Sequence, residues 1–194
     1  MVCADGGVVH CLAAGIIPDF LVGDFDSVDP EILDRSELAS VQRESYPSEK
    51  NQSDLELCLD LLCQLETVPD DVILLGVSGG RSDHHLFNWL LPMLRDWPFG
   101  VRLIDDSVDA CLVSASRPFK RSCEVGRTLS LVALSEASGV TTAGLEYPLC
   151  DAVLHPGSTC GLSNVISDKE VCVSLSNGQL LAMQIRNTPT GTRL

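Results

Sequence analysis

Two carboxylates one residue apart, Asp24 and Asp26, follow the apolar run Phe20-Leu21-Val22 in the stretch Gly23-Asp24-Phe25-Asp26-Ser27. On an extended backbone residues i and i+2 face the same side, so the two acids would converge while Phe25 points away to pack. Paired anionic oxygens at the mouth of a buried strand suit a hard divalent ion such as Mg²⁺, shared with a substrate's phosphates. The same five residues also suit a plain turn whose Asp and Ser side chains bond their own backbone. Three further stretches have comparable content. Asp5-Gly6-Gly7 follows the apolar run Met1-Val2-Cys3-Ala4, and its two glycines allow close backbone approach to a ligand at a helix N-terminus. Lys50 lies one helical turn before Asp54. Asp54 reads either as a first-turn acid that complements the helix dipole or as a third metal-side carboxylate, and Lys50 either as a solvated lysine or as a phosphate contact. Finally, Ser78-Gly79-Gly80-Arg81-Ser82-Asp83-His84 sits between an apolar strand and a helix, an arrangement that presents backbone N–H groups to an anion. No Gly-Lys-Ser/Thr follows, so it is not a Walker A loop, and Asp83 also suits a simple helix cap.

The elements that must position these residues follow from periodicity. A helix is expected over 8–14, stopped by Gly15 with Pro18 beyond. Pro30-Glu31-Ile32-Leu33 opens a polar helical stretch, and a strand over 41–46 ends at Pro47. Ser53 and Glu56 form a capping box, with Leu55, Cys58, Leu59, Leu62 and Leu65 following at helical spacing. The unbroken run Val72-Ile73-Leu74-Leu75 predicts a strand buried on both faces. A helix through Leu86, Leu90, Leu91 and Leu94 and strands over 101–104 and 110–113 complete the alternation. Strands alternating with helices imply a doubly wound, mostly parallel sheet with its ligand loops on one carboxyl edge. Beyond the polar segment 114–121, short strands over 128–134, 140–143, 152–155, 171–175 and 179–185 predict a small antiparallel β-sandwich. Asn177-Gly178 is the hairpin signal between the last two. The expected division is an α/β domain over 1–116 and a β-sandwich over 117–194, with a fraying tail from Asn187.

Composition bounds the partners. The chain has 194 residues, 45% of them hydrophobic and 21% charged, which is ordinary for a globular protein. A net charge of -14 leaves no basic stripe for nucleic acid, and a polyanionic ligand would need a metal or a few placed basic residues to screen it. Nine cysteines lack zinc-ribbon or redox spacing and read as buried free thiols of a reducing compartment. There is no basic-then-apolar leader and no apolar run long enough to span a bilayer, so a soluble cytoplasmic protein without membrane partners is expected.

The ordered set of motifs resembles the thiamin pyrophosphokinase family. It runs through Ala4-Asp5-Gly6-Gly7, Gly15-Ile16-Ile17-Pro18-Asp19, Gly23-Asp24-Phe25-Asp26-Ser27, Lys50, Ser53-Asp54 and Gly79-Gly80-Arg81-Ser82-Asp83-His84. It closes with Thr141-Thr142-Ala143-Gly144-Leu145-Glu146-Tyr147-Pro148-Leu149, Gly157-Ser158 and Gly161-Leu162-Ser163-Asn164. The resemblance implies an α/β catalytic domain, a β-sandwich, and a homodimer with active sites between subunits. It implies transfer of diphosphate from ATP to thiamin, giving thiamin diphosphate and AMP. By the same resemblance Asp24, Asp26 and Asp54 hold Mg²⁺, while Lys50 and Arg81 offset triphosphate charge. Asp5, Gly6, Ser27, Lys50, Gly79, Gly80 and Arg81 would face the nucleotide. Asp83 would orient substrate, and Ser163 and Asn164 would meet thiamin. Two departures stand out. Family members begin with a further strand ahead of the equivalent of Met1, so a sheet with an exposed hydrophobic edge is expected here. Ser53 replaces a threonine, and Val165 stands where the family has an acid. A thiamin-binding module without turnover and a diphosphokinase for a pterin alcohol are the alternative readings.

Overall fold

A computed structural model describes residues 1–79 and 81–186. Gly80 and the tail from Asn187 lie outside the described residues. The chain forms two compact units, Met1–Pro69 and the segment from Asp70 onward.

In the first unit β1 (Val2–Ala4), β2 (Phe20–Gly23) and β3 (Gln42–Ser45) form a parallel sheet in the order β1-β2-β3. Helix α1 (Gly7–Ala13) links β1 to β2, and the short α2 (Pro30–Leu33) and a 3₁₀ turn (Ser36–Leu38) precede β3. Helix α3 (Asp54–Gln64) follows, capped as expected: the Ser53 hydroxyl accepts from the Glu56 N–H at 3.3 Å. The apolar run in β2 is explained by burial on both faces. Leu21 enters a cluster with Cys3, Val8, Val28, Leu38 and Val41, whereas its neighbour Val22 enters another with Leu57 and Cys58 of α3. Successive side chains point to opposite faces, so each face has its own core.

The second unit begins with β4 (Asp71–Leu75), α4 (Ser82–Leu94) and β5 (Gly100–Ile104), a parallel pair with its crossover helix. Then come β6 (Val108–Ser114), β7 (Phe119–Ser122), β8 (Thr128–Ala133), β9 (Ala137–Ala143), β10 (Ala152–Leu154), β11 (Asn164–Val165), β12 (Glu170–Ser174) and β13 (Gln179–Ile185). They build a six-stranded sheet, β11-β8-β13-β6-β5-β4, and a four-stranded sheet, β10-β9-β12-β7. Val113, Leu129, Leu131 and Leu180 of the first sheet share one core with Phe119, Val140, Val171 and Val173 of the second. The result is the expected mixed α/β chain, parallel early and antiparallel later.

Several expectations need correction. Among the described residues the parallel strands fall into two sheets, β1-β2-β3 and the β4-β5 pair, and β5 goes on to pair antiparallel with β6, so a doubly wound sheet is not confirmed. The β5–β6 pairing puts β4, α4 and β5 in one compact unit with the later strands. Strand β4 is not buried on both faces: Val72 and Leu74 are buried, but Ile73 and Leu75 are 53% and 69% exposed. It is the terminal strand of its sheet and packs on one face only. Asn177-Gly178 makes no hairpin. Strand β12 pairs with β7 and β9 while β13 pairs with β6 and β8, so the turn crosses from one sheet to the other. Gly178 has φ +91, and a Cβ there would meet the Glu136 carbonyl at 2.2 Å, so the crossing needs glycine. The polar segment 114–121 runs into strand β7, whose Phe119 supplies the one core side chain that the composition masked. The cysteines are all free, but Cys150 and Cys160 are exposed rather than buried.

Candidate functional site

The loops after β1 and β2 leave the same carboxyl edge of neighbouring parallel strands, which brings Asp5 beside Asp24 and Asp26. One carboxylate oxygen from each of these three residues lies within 4.8 Å of the other two. The convergence does not come from extended backbone. Phe25 has φ +62 and Asp5 φ +36, left-handed conformations that non-glycine residues hold only when the surroundings impose them. Phe25 still packs inward against the first-unit core, as expected. The Asp26 N–H donates to Asp24 Oδ1 at 3.3 Å, so the turn geometry and the acid pair coexist. Gly23 makes the approach possible: a Cβ there would sit 2.9 Å from the Asp5 Cβ.

The charges are unevenly settled. The Ser27 hydroxyl donates to Asp5 Oδ2, while Asp5 Oδ1 is buried with no hydrogen-bond partner. Lys50 Nζ lies 3.4 Å from Asp24 Oδ2 and 3.1 Å from Asp54 Oδ1, an i,i+4 pair. The Asp26 N–H holds the Asp24 carboxyl below its usual range against the opposing effect of burial, helped by Ser48 and Lys50. Asp26 is pushed the other way, first by the Asp24 charge beside it. Burial pulls the Lys50 ammonium down, but Asp54 and Asp24 outweigh it and raise it. A cluster with one buried unpaired oxygen and one carboxylate destabilised by its neighbour fits a hard, oxygen-seeking cation such as Mg²⁺. Asp24 and Asp26 enter this cluster as expected, whereas Asp54 is joined to it through Lys50. Asp5 was legible only as a nucleotide-side residue. The missed signal was an acid at the end of the strand that would neighbour β2.

Of the other singled-out residues, Gly6 is the N-cap position of α1 in the first unit, and the rest belong to the second. In the loop after β4, the Gly79 N–H donates to His85 Nδ1 at 3.3 Å. Arg81 grips Asp83 through two bonds, Nε to Oδ1 at 3.1 Å and Nη2 to Oδ2 at 2.6 Å, and both side chains are exposed. That grip, with smaller help from nearby backbone N–H groups and against burial, draws the Asp83 carboxyl down to about 2. Asp83 lies in the first turn of α4 and is not its cap residue, which is Arg81. Ser163 is exposed and left-handed, with φ +55, and its N–H donates to the Ser130 hydroxyl at 3.0 Å. Asn164 is buried. Its Oδ1 accepts from the N–H groups of Tyr147 and Val165 at 3.0 and 2.9 Å, and its Nδ2 donates to the Tyr147 carbonyl at 2.7 Å. That last bond uses one of the two Nδ2 hydrogens.

Residues 1–94 match the family described as thiamin pyrophosphokinase, catalytic domain, and residues 118–180 match the thiamin pyrophosphokinase vitamin B1 binding domain. The thiamine pyrophosphokinase of Bacillus subtilis is 35% identical over 186 residues, spanning 95% of this chain and 85% of that protein. A crystal structure of the thiamine pyrophosphokinase from Bacillus subtilis superposes with a TM-score of 0.82 at 28% identity, covering 96% of this chain and 87% of that one. The thiamin pyrophosphokinase from Candida albicans shares the fold at 19% identity and a TM-score of 0.75, covering 95% and 81%. By sequence and by fold, the chain belongs to the thiamin pyrophosphokinase family.

Proposed function

We propose that this chain transfers diphosphate from ATP to the hydroxyl of thiamin, releasing AMP. The observation that carries the reading is the Asp5–Asp24–Asp26 cluster with Lys50 beside it, in a chain of this family. The hydroxyl oxygen bonds to the β-phosphorus as the bond from that phosphorus to the α,β-bridging oxygen breaks; AMP departs with that oxygen and the electron pair, and the hydroxyl proton passes to solvent. Such transfers are accelerated mostly by positioning and charge stabilisation.

Asp24 and Asp26, with Asp5 or Asp54, would hold Mg²⁺, which when bound supplies positive charge to the triphosphate. Asp24 stays ionised because its neighbours favour the carboxylate. Lys50, fixed between Asp24 and Asp54, offers its ammonium to a phosphate oxygen. Gly6 and Ser27 would line the nucleotide, Ser27 also keeping Asp5 oriented. Arg81 and the loop at Gly79 and Gly80 are assigned to phosphate, and Asp83 to substrate orientation. Ser163 and the remaining N–H of Asn164 are assigned to thiamin. The reading includes a cytoplasmic homodimer with separate catalytic and thiamin-binding parts, 1–116 and 117–194. No helix among the described residues is long and apolar enough to cross a membrane.

The test is direct. The chain is mixed with ATP, Mg²⁺ and thiamin, and products are followed by chromatography. Equimolar AMP and thiamin diphosphate, abolished by a chelator, is the expected result. ADP with thiamin monophosphate would refute diphosphate transfer, and thiamin binding without product would leave a binding module. Turnover of a hydroxymethylpterin but not of thiamin would reassign the acceptor.

A further inference from the structure

The loop after β4 is fixed by side chains that the diphosphokinase reading leaves without a task. Asp105 follows the last residue of β5, and residues 105–107 turn the chain into β6. Its Oδ1 accepts from the Ser107 N–H at 2.7 Å, the Ser107 hydroxyl at 2.9 Å and the Val108 N–H at 2.9 Å. Those three bonds complete the turn and use one oxygen. The other oxygen, Oδ2, accepts from the Ser78 hydroxyl at 2.5 Å. Parallel β4 and β5 end with Leu75 opposite Ile104, so their exits run side by side and this bond ties one to the other. The residues flanking Ser78 are tied as well: the Val77 carbonyl accepts from Asn88 Nδ2 at 3.4 Å, and the Gly79 N–H donates to His85 Nδ1. Three consecutive loop residues are therefore anchored, two to α4 and one to the end of β5.

We propose that Asp105, acting through the Ser78 hydroxyl, is a positioning residue that fixes the glycine-rich loop for the phosphates of the nucleotide. The inference rests on the assignment of that loop to ATP. The turn into β6 is satisfied by a single oxygen, and Asn would serve it equally. The second oxygen is spent on a residue 27 positions away, in the one loop that leads to Arg81. Burial pushes the Asp105 carboxyl up, but the Ser78, Ser107 and Val108 donors overcome it and bring it down to about 2. The Ser78 bond is therefore charge-assisted throughout the neutral range, about twice as strong as a neutral one. A loop ordered before the ligand arrives spares the ordering cost on binding.

The experiment compares Ser78→Ala, Ser78→Thr and Asp105→Asn with the wild-type chain. It measures KM for ATP and for thiamin, melting temperature, and affinity for a non-hydrolysable ATP analogue with Mg²⁺. Ser78→Ala should raise KM for ATP about tenfold, as expected for losing one charge-assisted anchor, with KM for thiamin unchanged. Ser78→Thr should restore it, and Asp105→Asn should fall between. Unchanged KM for ATP and unchanged analogue affinity in Ser78→Ala would overturn the inference and leave the diphosphokinase reading standing. So would a lower melting temperature alone, since that is all a purely structural bond would give. A wild-type chain that makes no thiamin diphosphate, yet binds the analogue more tightly than Ser78→Ala does, would refute thiamin transfer and keep the inference. Absence of analogue binding by the wild type would overturn both.

Discussion

The acidic cluster and the Ser163–Asn164 turn treat polar groups in opposite ways. Around Asp5, Asp24 and Asp26 the chain leaves a buried oxygen unpaired and sets two carboxylates against each other. Around Asn164 nearly every polar atom is answered by the protein itself, with three bonds from one amide. The first region leaves charge unanswered by the chain; the second is organised around its own backbone. Charge repulsion and an unanswered oxygen therefore mark a candidate catalytic centre. A saturated amide marks a rigid wall.

Three substitutions would break or sharpen that contrast. The largest effect is expected for Asp24→Asn, which removes the carboxylate that Lys50 and the Asp26 N–H favour. The rate of AMP formation should fall on the order of 10²–10³-fold, the scale of losing one preorganised electrostatic contact. Full activity in that variant would remove Asp24 from the centre. Next comes Asn164→Ala, which removes the buried amide that bonds the N–H and C=O of Tyr147 and the N–H of Val165. Urea unfolding should show a loss of about 2–3 kcal/mol, from three lost hydrogen bonds at about 1 kcal/mol each. If only KM for thiamin moved and stability did not, Asn164 would be a ligand contact first and a clamp second.

The smallest effect separates the two regions by sign. Asp26 titrates above its usual value because Asp24 disfavours its charge, so ionising it works against the fold. That cost is present above the raised value and lifts as pH falls through it. Asp24 runs the other way: its contribution is present above the ordinary carboxylate range and is lost as pH falls through its lowered value. Asp26→Asn should thus raise the melting temperature at pH 7 by a few degrees while impairing turnover. Mg²⁺ should stabilise the wild type more than this variant. A lower melting temperature in Asp26→Asn would show that the cluster is not under repulsion.

Local features were legible from sequence and long-range ones were not. The Ser53–Glu56 cap and helix α3 follow from spacing alone, since capping residues and apolar positions recur at fixed helical offsets. The acids Asp24 and Asp26 were found by their types, although the backbone that joins them is a left-handed turn at Phe25 and not a strand. Asp5 joins them because β1 neighbours β2, a pairing that no local pattern encodes. Asn177-Gly178 has the composition of a hairpin turn, yet which sheet each flanking strand enters is decided by their long-range partners. The exposed Ile73 and Leu75 show the same limit. An apolar run states what could be buried, and the position of β4 at the end of its sheet decides what is.

Strand β13, the last described strand, lies between β8 and β6 in the interior of its sheet. A ribosome delivers β6 and β8 well before it, and until it arrives each presents a row of unpaired N–H and C=O groups toward the gap. Leu180 and Ala182, which complete the sandwich core, are likewise the last apolar residues of that core to be synthesised. The nascent sandwich therefore cannot close in stages. A message truncated ahead of Gln179 yields two open edges and a core without Leu180 and Ala182, the kind of species that aggregates or is taken up by chaperones.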